Sequence, residues 1–335
     1  MQRPYRFAER LGEATICVGA EKAKAGGKNI VVNKKVKLQF PARKQPTPSL
    51  QERPIVMKYN VVVATHHKTG TVWMDGVFKA IARDVGAQYV DFRSQYDCLD
   101  EALSKPFILL NYDSNFREYR HILERDDVRI LHLVRDPRDV LISAMHYHRK
   151  SRESWLHEPI PGYDNVTYQR SLRTLPSKFD QYVFEMEHST ASTLRDMLSW
   201  QYGRENCFEA RYENLRQDAE LTYWQRISTF LGFDEHEQEI SCRRFWQNSL
   251  FGGLPRLGNK HVRSGDVAQW KREFTRDLGF AFLSRFPNVL QSLGYETSNS
   301  WILKLKPPST DGTLTDLKRL AAVHLALVVD LARYM

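Results

Sequence analysis

The chain has 335 residues, 42% hydrophobic and 12% aromatic, which is enough apolar material for a packed core and excludes a disordered chain. Its 49 basic and 40 acidic residues leave a formal charge of +9, which favours anionic partners such as nucleotides, sulfated or phosphorylated substrates, or membrane surfaces. There is no dense basic stripe interleaved with aromatics, so no nucleic acid is expected, and no stretch supplies the roughly 20 apolar residues of a membrane span.

Residues 1–54 form an N-terminal extension and linker. Gly26–Phe40 has the pattern of a short strand or hairpin, and Pro41–Pro54 is Pro-rich and polar. The opening segment lacks a signal-peptide pattern, and Cys17, Cys98, Cys207 and Cys242 are scattered without CxxC spacing. Both features predict a cytoplasmic protein with inert thiols.

From Ile55 onward, β-like and helix-like segments alternate over a domain spanning 55–297, the pattern of a parallel sheet with helical crossovers. Strand Val61–Ala64 runs into HHKTGT and then a helix carrying Met74, Val77, Phe78, Ile81 and Val85 at helical spacing. A second strand is expected at Phe107–Leu110 and a third at Val128–Val134. After the third, Asp136 can N-cap a helix that has Pro137 first and Asp139 in its first turn. A helix around Ala191–Tyr202 leads to a strand within Cys207–Tyr212. Helices around Arg216–Leu231 and Glu235–Asn248 follow, and then a Gly-rich loop, Gly252–Asp266. Residues 298–335 form a C-terminal extension with an amphipathic helix at Leu320–Ala332, suited to docking or to weak contact with a membrane surface.

Ligands of open parallel sheets bind where strands end and helices begin. At the first such junction, Gly70 lets the backbone approach an anion and the helix N-terminus offers amides. Lys68, Thr69 and Thr71 add a cation and two hydroxyls, and Trp73 a flat ring that suits either a purine or the core. At the second, Arg135 leaves a strand end and Ser143 follows eight residues later on the helix, so both can reach one phosphate. The third is Arg263-Ser264-Gly265, followed by Trp270, Lys271 and Phe274. The Gly-Lys-Ser/Thr order of P-loop NTPases is absent.

In order and spacing these three elements resemble the PAPS-dependent sulfotransferase family, whose members use 3′-phosphoadenosine 5′-phosphosulfate (PAPS) as sulfuryl donor. Lys68-Thr69-Gly70-Thr71-Val72-Trp73 is similar to the family's Lys-Ser/Thr-Gly-Thr-Thr-Trp. Arg135 with Arg138, Asp139 and Ser143 is similar to its second motif, Tyr212-Glu213 to its Tyr-Glu, and Arg263-Ser264-Gly265 with Trp270-Lys271 and Phe274 to its third. The resemblance covers about Val56 to Tyr295. It implies a three-layer α/β sandwich like that of P-loop NTPases, with a central parallel sheet flanked by helices. It also implies a binding set for PAPS and its product adenosine 3′,5′-bisphosphate: Lys68 to Trp73 at the 5′ side, Arg135, Ser143, Arg263, Ser264 and Gly265 at the 3′-phosphate, and Tyr212 beside the adenosine. No metal is expected.

Two departures stand inside the motifs. Val72 replaces a hydroxyl at the 5′-phosphate, and Ser264 replaces a lysine near the 3′-phosphate. A third concerns the base that takes the acceptor's proton, because the stretch after the second strand, Leu110–Asn115, lacks the family's histidine. Catalytic roles are therefore assigned to Lys68, at the bridging oxygen of the leaving 5′-phosphate, and to a base chosen among Asp113, His67 and His66. His146 and His148, two apart on a helix, face different ways and make a poor metal pair. The acceptor expected is a hydroxyl or amine of a small molecule or saccharide, lined by Asp91–Lys105 and Arg149–Lys178. The rival readings are a P-loop-type nucleotide kinase or ATPase and a non-catalytic nucleotide-binding relative. The sequence leaves the oligomeric state open.

Overall fold

The structure, a computed structural model, describes residues 22–25, 28–31, 57–93, 99, 103–159, 166–252, 254 and 264–307. The chain divides into two compact units, Met1–Ile55 and Val56–Met335. In the first, β1 (Lys22–Ala25) and β2 (Lys28–Val31) pair antiparallel, with Lys22 opposite Val31. The expected hairpin thus begins ahead of Gly26–Phe40. Arg263, the linker and the helix at Leu320–Ala332 lie outside the described residues.

The second unit is built on five parallel strands: β3 (Asn60–Ala64), β4 (Gln88–Asp91), β5 (Phe107–Asn111), β6 (Val128–Val134) and β7 (Cys207–Arg211), ordered β4-β5-β3-β6-β7. The three inner strands are nearly continuous apolar runs because both faces are covered. Val61, Val63, Ile108, Leu110, Leu131 and Leu133 face one core. That core is closed by α1 (Thr71–Asp84) and by two helices further along the chain. Val62, Ala64, Leu109 and Ile130 face the other side. The alternation follows from the two-residue period of a strand.

In chain order the next helices are α2 (Pro137–His148), α3 (Tyr168–Thr174), α4 (Lys178–Glu187), α5 (Ser189–Ser199), α6 (Tyr212–Gln217), α7 (Thr222–Phe230), α8 (Glu235–Gln247), α9 (Trp270–Glu273) and α10 (Arg276–Arg285). Trp224 of α7 and Phe245 of α8 stack with ring centroids 4.0 Å apart and join α1 in the first core. Leu141, Met145, Tyr182, Leu194 and Phe282 tie α2, α4, α5 and α10 into a further cluster. This is the expected α/β sandwich, a parallel sheet between helical layers.

Asp136 caps α2 as expected, accepting from the Arg138 amide at 3.0 Å, with Pro137 at the first helical position. Three elements differ from expectation. Edge strand β4 is too short and too mixed for its period to be read. The helix expected around Arg216–Leu231 is two helices, because the Asp218 carboxylate accepts from the Tyr223 and Trp224 amides at 2.9 and 2.7 Å and starts a new one. Ahead of α5 lies α4, which the sequence pattern does not resolve.

Candidate active site

The loop between β3 and α1 is folded by its own hydroxyls. Thr69 Oγ1 and Thr71 Oγ1 both donate to the His66 carbonyl, at 2.9 and 3.0 Å, and Thr71 Oγ1 also meets Thr65 Oγ1 at 2.9 Å. These hydroxyls shape the loop, so an anion is left the first-turn amides of α1, which have no intrahelical acceptors. Gly70 has φ +117°, and a Cβ there would lie 3.1 Å from the Tyr212 ring and 3.3 Å from Leu133. Only glycine lets the chain pass between them. Val72 is exposed at the start of the helix.

Lys68 itself has φ 65°, an uncommon value for a side-chain-bearing residue and a mark of local strain. Its Nζ lies 3.4 Å from the Tyr147 ring centre. Burial, and then the nearby Arg135 cation, lower the ammonium pKa to about 8, while Glu153 and Glu185 act the other way.

Arg135 connects the elements that the motifs had named separately. From the end of β6 it donates to the Lys68 carbonyl at 3.0 Å and to the Asp266 carbonyl at 3.2 Å, and it stacks over Tyr212 at 4.3 Å. Its Nε is buried without a partner among the described residues. Tyr212 OH and Arg216 Nε both donate to the Gly265 carbonyl, at 3.2 and 2.8 Å. Gly265 has φ +63°, and a Cβ on it would strike Leu250. The first loop, the end of β6, the start of α6 and the segment Ser264–Asp266 therefore meet at one place. Ser143 lies on α2 and is half-buried. Trp73 stacks on Phe245 with centroids 5.2 Å apart and meets Tyr212 edge-on, so one of its faces belongs to the core.

Beside this site is a cavity of about 320 Å³, bounded by His67, Asp113, Trp155, Tyr168, Thr193 and Asp196. Trp155 and Tyr168 come from the second segment expected to line the acceptor site. Thr193 and Asp196 come from α5, which was not. Asp113 accepts from the Asn115 amide at 2.9 Å and donates its own amide to Asn111 Oδ1, and so organises the turn after β5.

The two loop histidines point into different networks. His66 is fully buried, and its Nε2 meets His132 Nε2 at 2.8 Å. His132 in turn meets Glu209 through Nδ1. Its position follows from the sheet register, which sets Ala64 opposite His132. His67 Nε2 meets His148 Nε2 at 2.9 Å, and His148 Nδ1 meets Glu185 Oε2 at 2.9 Å. Burial, and then the neighbouring His132, push the His66 imidazolium well below its ordinary range. Burial, and then His148 and Lys68, do the same for His67. His146 turns away to Glu273 at 3.1 Å.

The sulfotransferase domain family matches residues 58–293. The chain belongs to the sulfotransferase domain family. No curated protein matches it by sequence. Among solved structures it is similar to a mouse sulfotransferase complexed with PAP, with 17% identity, 74% of this chain and 88% of that one covered, and a TM-score of 0.48. It is also similar to a retinol dehydratase in complex with androsterone and inactive cofactor PAP, with 17% identity, coverage of 72% and 82%, and a TM-score of 0.44. A sulfotransferase from Alicyclobacillus acidocaldarius matches at 15% identity, with 71% and 95% covered and a TM-score of 0.36.

Of the residues named from this sulfotransferase's sequence, Lys68, Gly70, Arg135, Tyr212 and Gly265 gather at one place, and His67 and Asp113 border the adjoining cavity. Sequence reasoning missed His148 as a partner of His67, it missed Glu185, and it placed a helix at α5 without seeing that this helix lines the cavity. A Glu and a His lying 37 positions apart on different helices leave no spacing signal. Among the described residues no helix is long and apolar enough to cross a membrane.

Proposed function

We propose that this sulfotransferase transfers a sulfuryl group from PAPS to a hydroxyl or amine of a small-molecule or glycan acceptor. Arg135 is the observation that carries the reading. One buried guanidinium donates to the Lys68 loop and to the Ser264–Asp266 segment, so that cationic and amide donors converge on a point where a nucleotide with phosphates at both ends would be held. The chain's groups fit such a donor. The open amides of α1 and the Lys68 ammonium suit its 5′ side, and Arg135, Ser143 and Ser264 suit its 3′-phosphate, to which the sequence motif adds Arg263. Lys68 would neutralise charge growing on the bridging oxygen as the S–O bond breaks, and the fixed surroundings would supply alignment. The mixed polar and aromatic cavity beside Lys68 suits a saccharide or a phenol. The thiols of Cys207 and Cys242 are free, and burial pushes both up, which fits a cytoplasmic setting.

A thermal-shift titration tests the donor. Adenosine 3′,5′-bisphosphate at about a hundred times its dissociation constant should stabilise the fold by roughly 2.7 kcal/mol, well beyond AMP, ADP or ATP at the same concentration. An equal or larger response to ATP would favour a P-loop-type kinase or ATPase. No response to any nucleotide would end the donor-site assignment.

A further inference from the structure

The contact between His67 and His148 has the geometry of an in-plane hydrogen bond. The ring centroids are 5.0 Å apart and the planes lie within 9° of each other, yet Nε2 to Nε2 is only 2.9 Å. Two imidazoles meeting edge to edge along the N–N line have this spacing, whereas a face-to-face stack would not bring the two nitrogens so close.

Proton placement follows from the far end of the chain. Glu185 is fully buried and surrounded by donors: His148 Nδ1 at 2.9 Å, Tyr168 OH at 3.0 Å and Thr190 Oγ1 at 3.4 Å. A carboxylate there accepts and does not donate, so His148 carries its hydrogen on Nδ1 and offers a lone pair at Nε2. His67 must then carry its hydrogen on Nε2, which leaves Nδ1 a bare acceptor. No described residue hydrogen-bonds to that atom. Both loop histidines border the cavity, but His67 is half-buried there, while His66 has no exposed surface and its Nε2 is engaged by His132. Gln169 holds the His148 carbonyl at 2.8 Å and fixes the last turn of α2.

We propose that His67 is the base that takes the acceptor's proton, through Nδ1, and that His148 and Glu185 are positioning residues that orient its ring and take up the resulting charge. This rests on the sulfotransferase reading above. In the step, the acceptor oxygen forms its bond to sulfur as the bond from sulfur to the bridging oxygen of PAPS breaks. The leaving electron pair stays on the 5′-phosphate beside Lys68. The acceptor's proton goes to His67 Nδ1, and the proton on His67 Nε2 can pass to His148 Nε2, where the imidazolium faces Glu185. Asp113 is a weaker candidate because its carboxylate closes the turn at Asn115. The groups around His67 are His148, Lys68 and Tyr147, and Asp113 and Asp196 line the same cavity.

The test compares transfer from PAPS to 4-nitrophenol and to 4-methoxyphenol, which are similar in size and differ in acidity. Loss of a base slows the weakly acidic phenol far more than one that is already ionised. His67→Asn should slow 4-methoxyphenol by about 100-fold or more and 4-nitrophenol by less than about tenfold, with the response to adenosine 3′,5′-bisphosphate retained. Glu185→Gln should show the same acidity-dependent pattern at about tenfold to 100-fold. Equal losses on both phenols, or the acidity-dependent loss appearing in Asp113→Asn instead of His67→Asn, would overturn the proposal. Nitrogen-15 NMR of the imidazoles reads the two tautomers without any turnover. It should find His67 protonated at Nε2 and His148 at Nδ1, whereas a His67 protonated at Nδ1 refutes the assignment even if neither phenol is sulfated. Failure of the donor reading would show separately, as absence of the bisphosphate shift.

Discussion

In the proposed mechanism Lys68 is the residue on which most of the chemistry turns, and its surroundings set its pH dependence. Burial and the Arg135 cation bring its ammonium down to about 8, so the free enzyme loses that charge as pH rises through that value. The alkaline limb of kcat/KM should therefore fall near about pH 8, and bound anionic donor should move the limb of kcat to higher pH. In Lys68→Ala the limb should vanish, with residual turnover about 100-fold to 1000-fold lower while the bisphosphate still binds. Initial rates from mildly acidic to alkaline pH check both points. Near-normal turnover in the variant would remove Lys68 from the mechanism. On the acid side His67 behaves in the opposite sense. Burial, His148 and Lys68 keep its folded value well below 6.5, so it stays neutral and able to accept a proton through the neutral range.

At the scale of elements, α2 does more than cross over the sheet. Its first turn holds Asp139, whose Oδ1 accepts the Trp270 amide at 3.0 Å and docks α9. Its buried Arg138 pairs with Asp136 at 2.7 Å and with Glu296 at 2.8 Å while lying over Trp270. Its last turn supplies Tyr147 to Lys68 and His148 to His67. Burial raises the Asp139 carboxyl to about 6, against the pull of Arg135. A folded value above the unfolded one means that the stability this group contributes is complete below about pH 4 and is lost as pH rises through about 6. Asp139→Asn keeps an acceptor for Trp270 and removes the charge. The Tm of the variant relative to the parent should rise between those two values and then level off, as read by circular dichroism melts. A difference independent of pH would contradict the assignment.

For the molecule as a whole, the excess of +9 charges acts as a field around the proposed donor site. Affinity for adenosine 3′,5′-bisphosphate should weaken steadily as ionic strength rises from about 0.05 to about 0.2 M, because screening shortens the reach of the surface charges. Titration calorimetry at several salt concentrations would show it, and affinity indifferent to salt would confine the electrostatics to the buried contacts of Arg135.

By itself the sequence determined the local chemistry of this protein. The apolar runs at Val61–Ala64 and Val128–Val134 could only be buried strands, Asp136-Pro137 could start a helix, and Lys68, Gly70 and Arg135 stood at strand ends where a parallel sheet binds ligands. Those signals are local, set by periods of two and 3.6 residues and by cap chemistry, and they are legible at one glance along the chain. Only the tertiary structure decided how the residues are used. It turned the Thr69 and Thr71 hydroxyls inward on the His66 carbonyl, split the helix after Asp218, and set β4 on the sheet edge. It also drew His148 from α2 and Glu185 from α4 into line behind His67. The physical reason is the same in each case. A buried hydrogen bond or ion pair is chosen by which helices pack together, and packing joins residues whose separation along the chain carries no period.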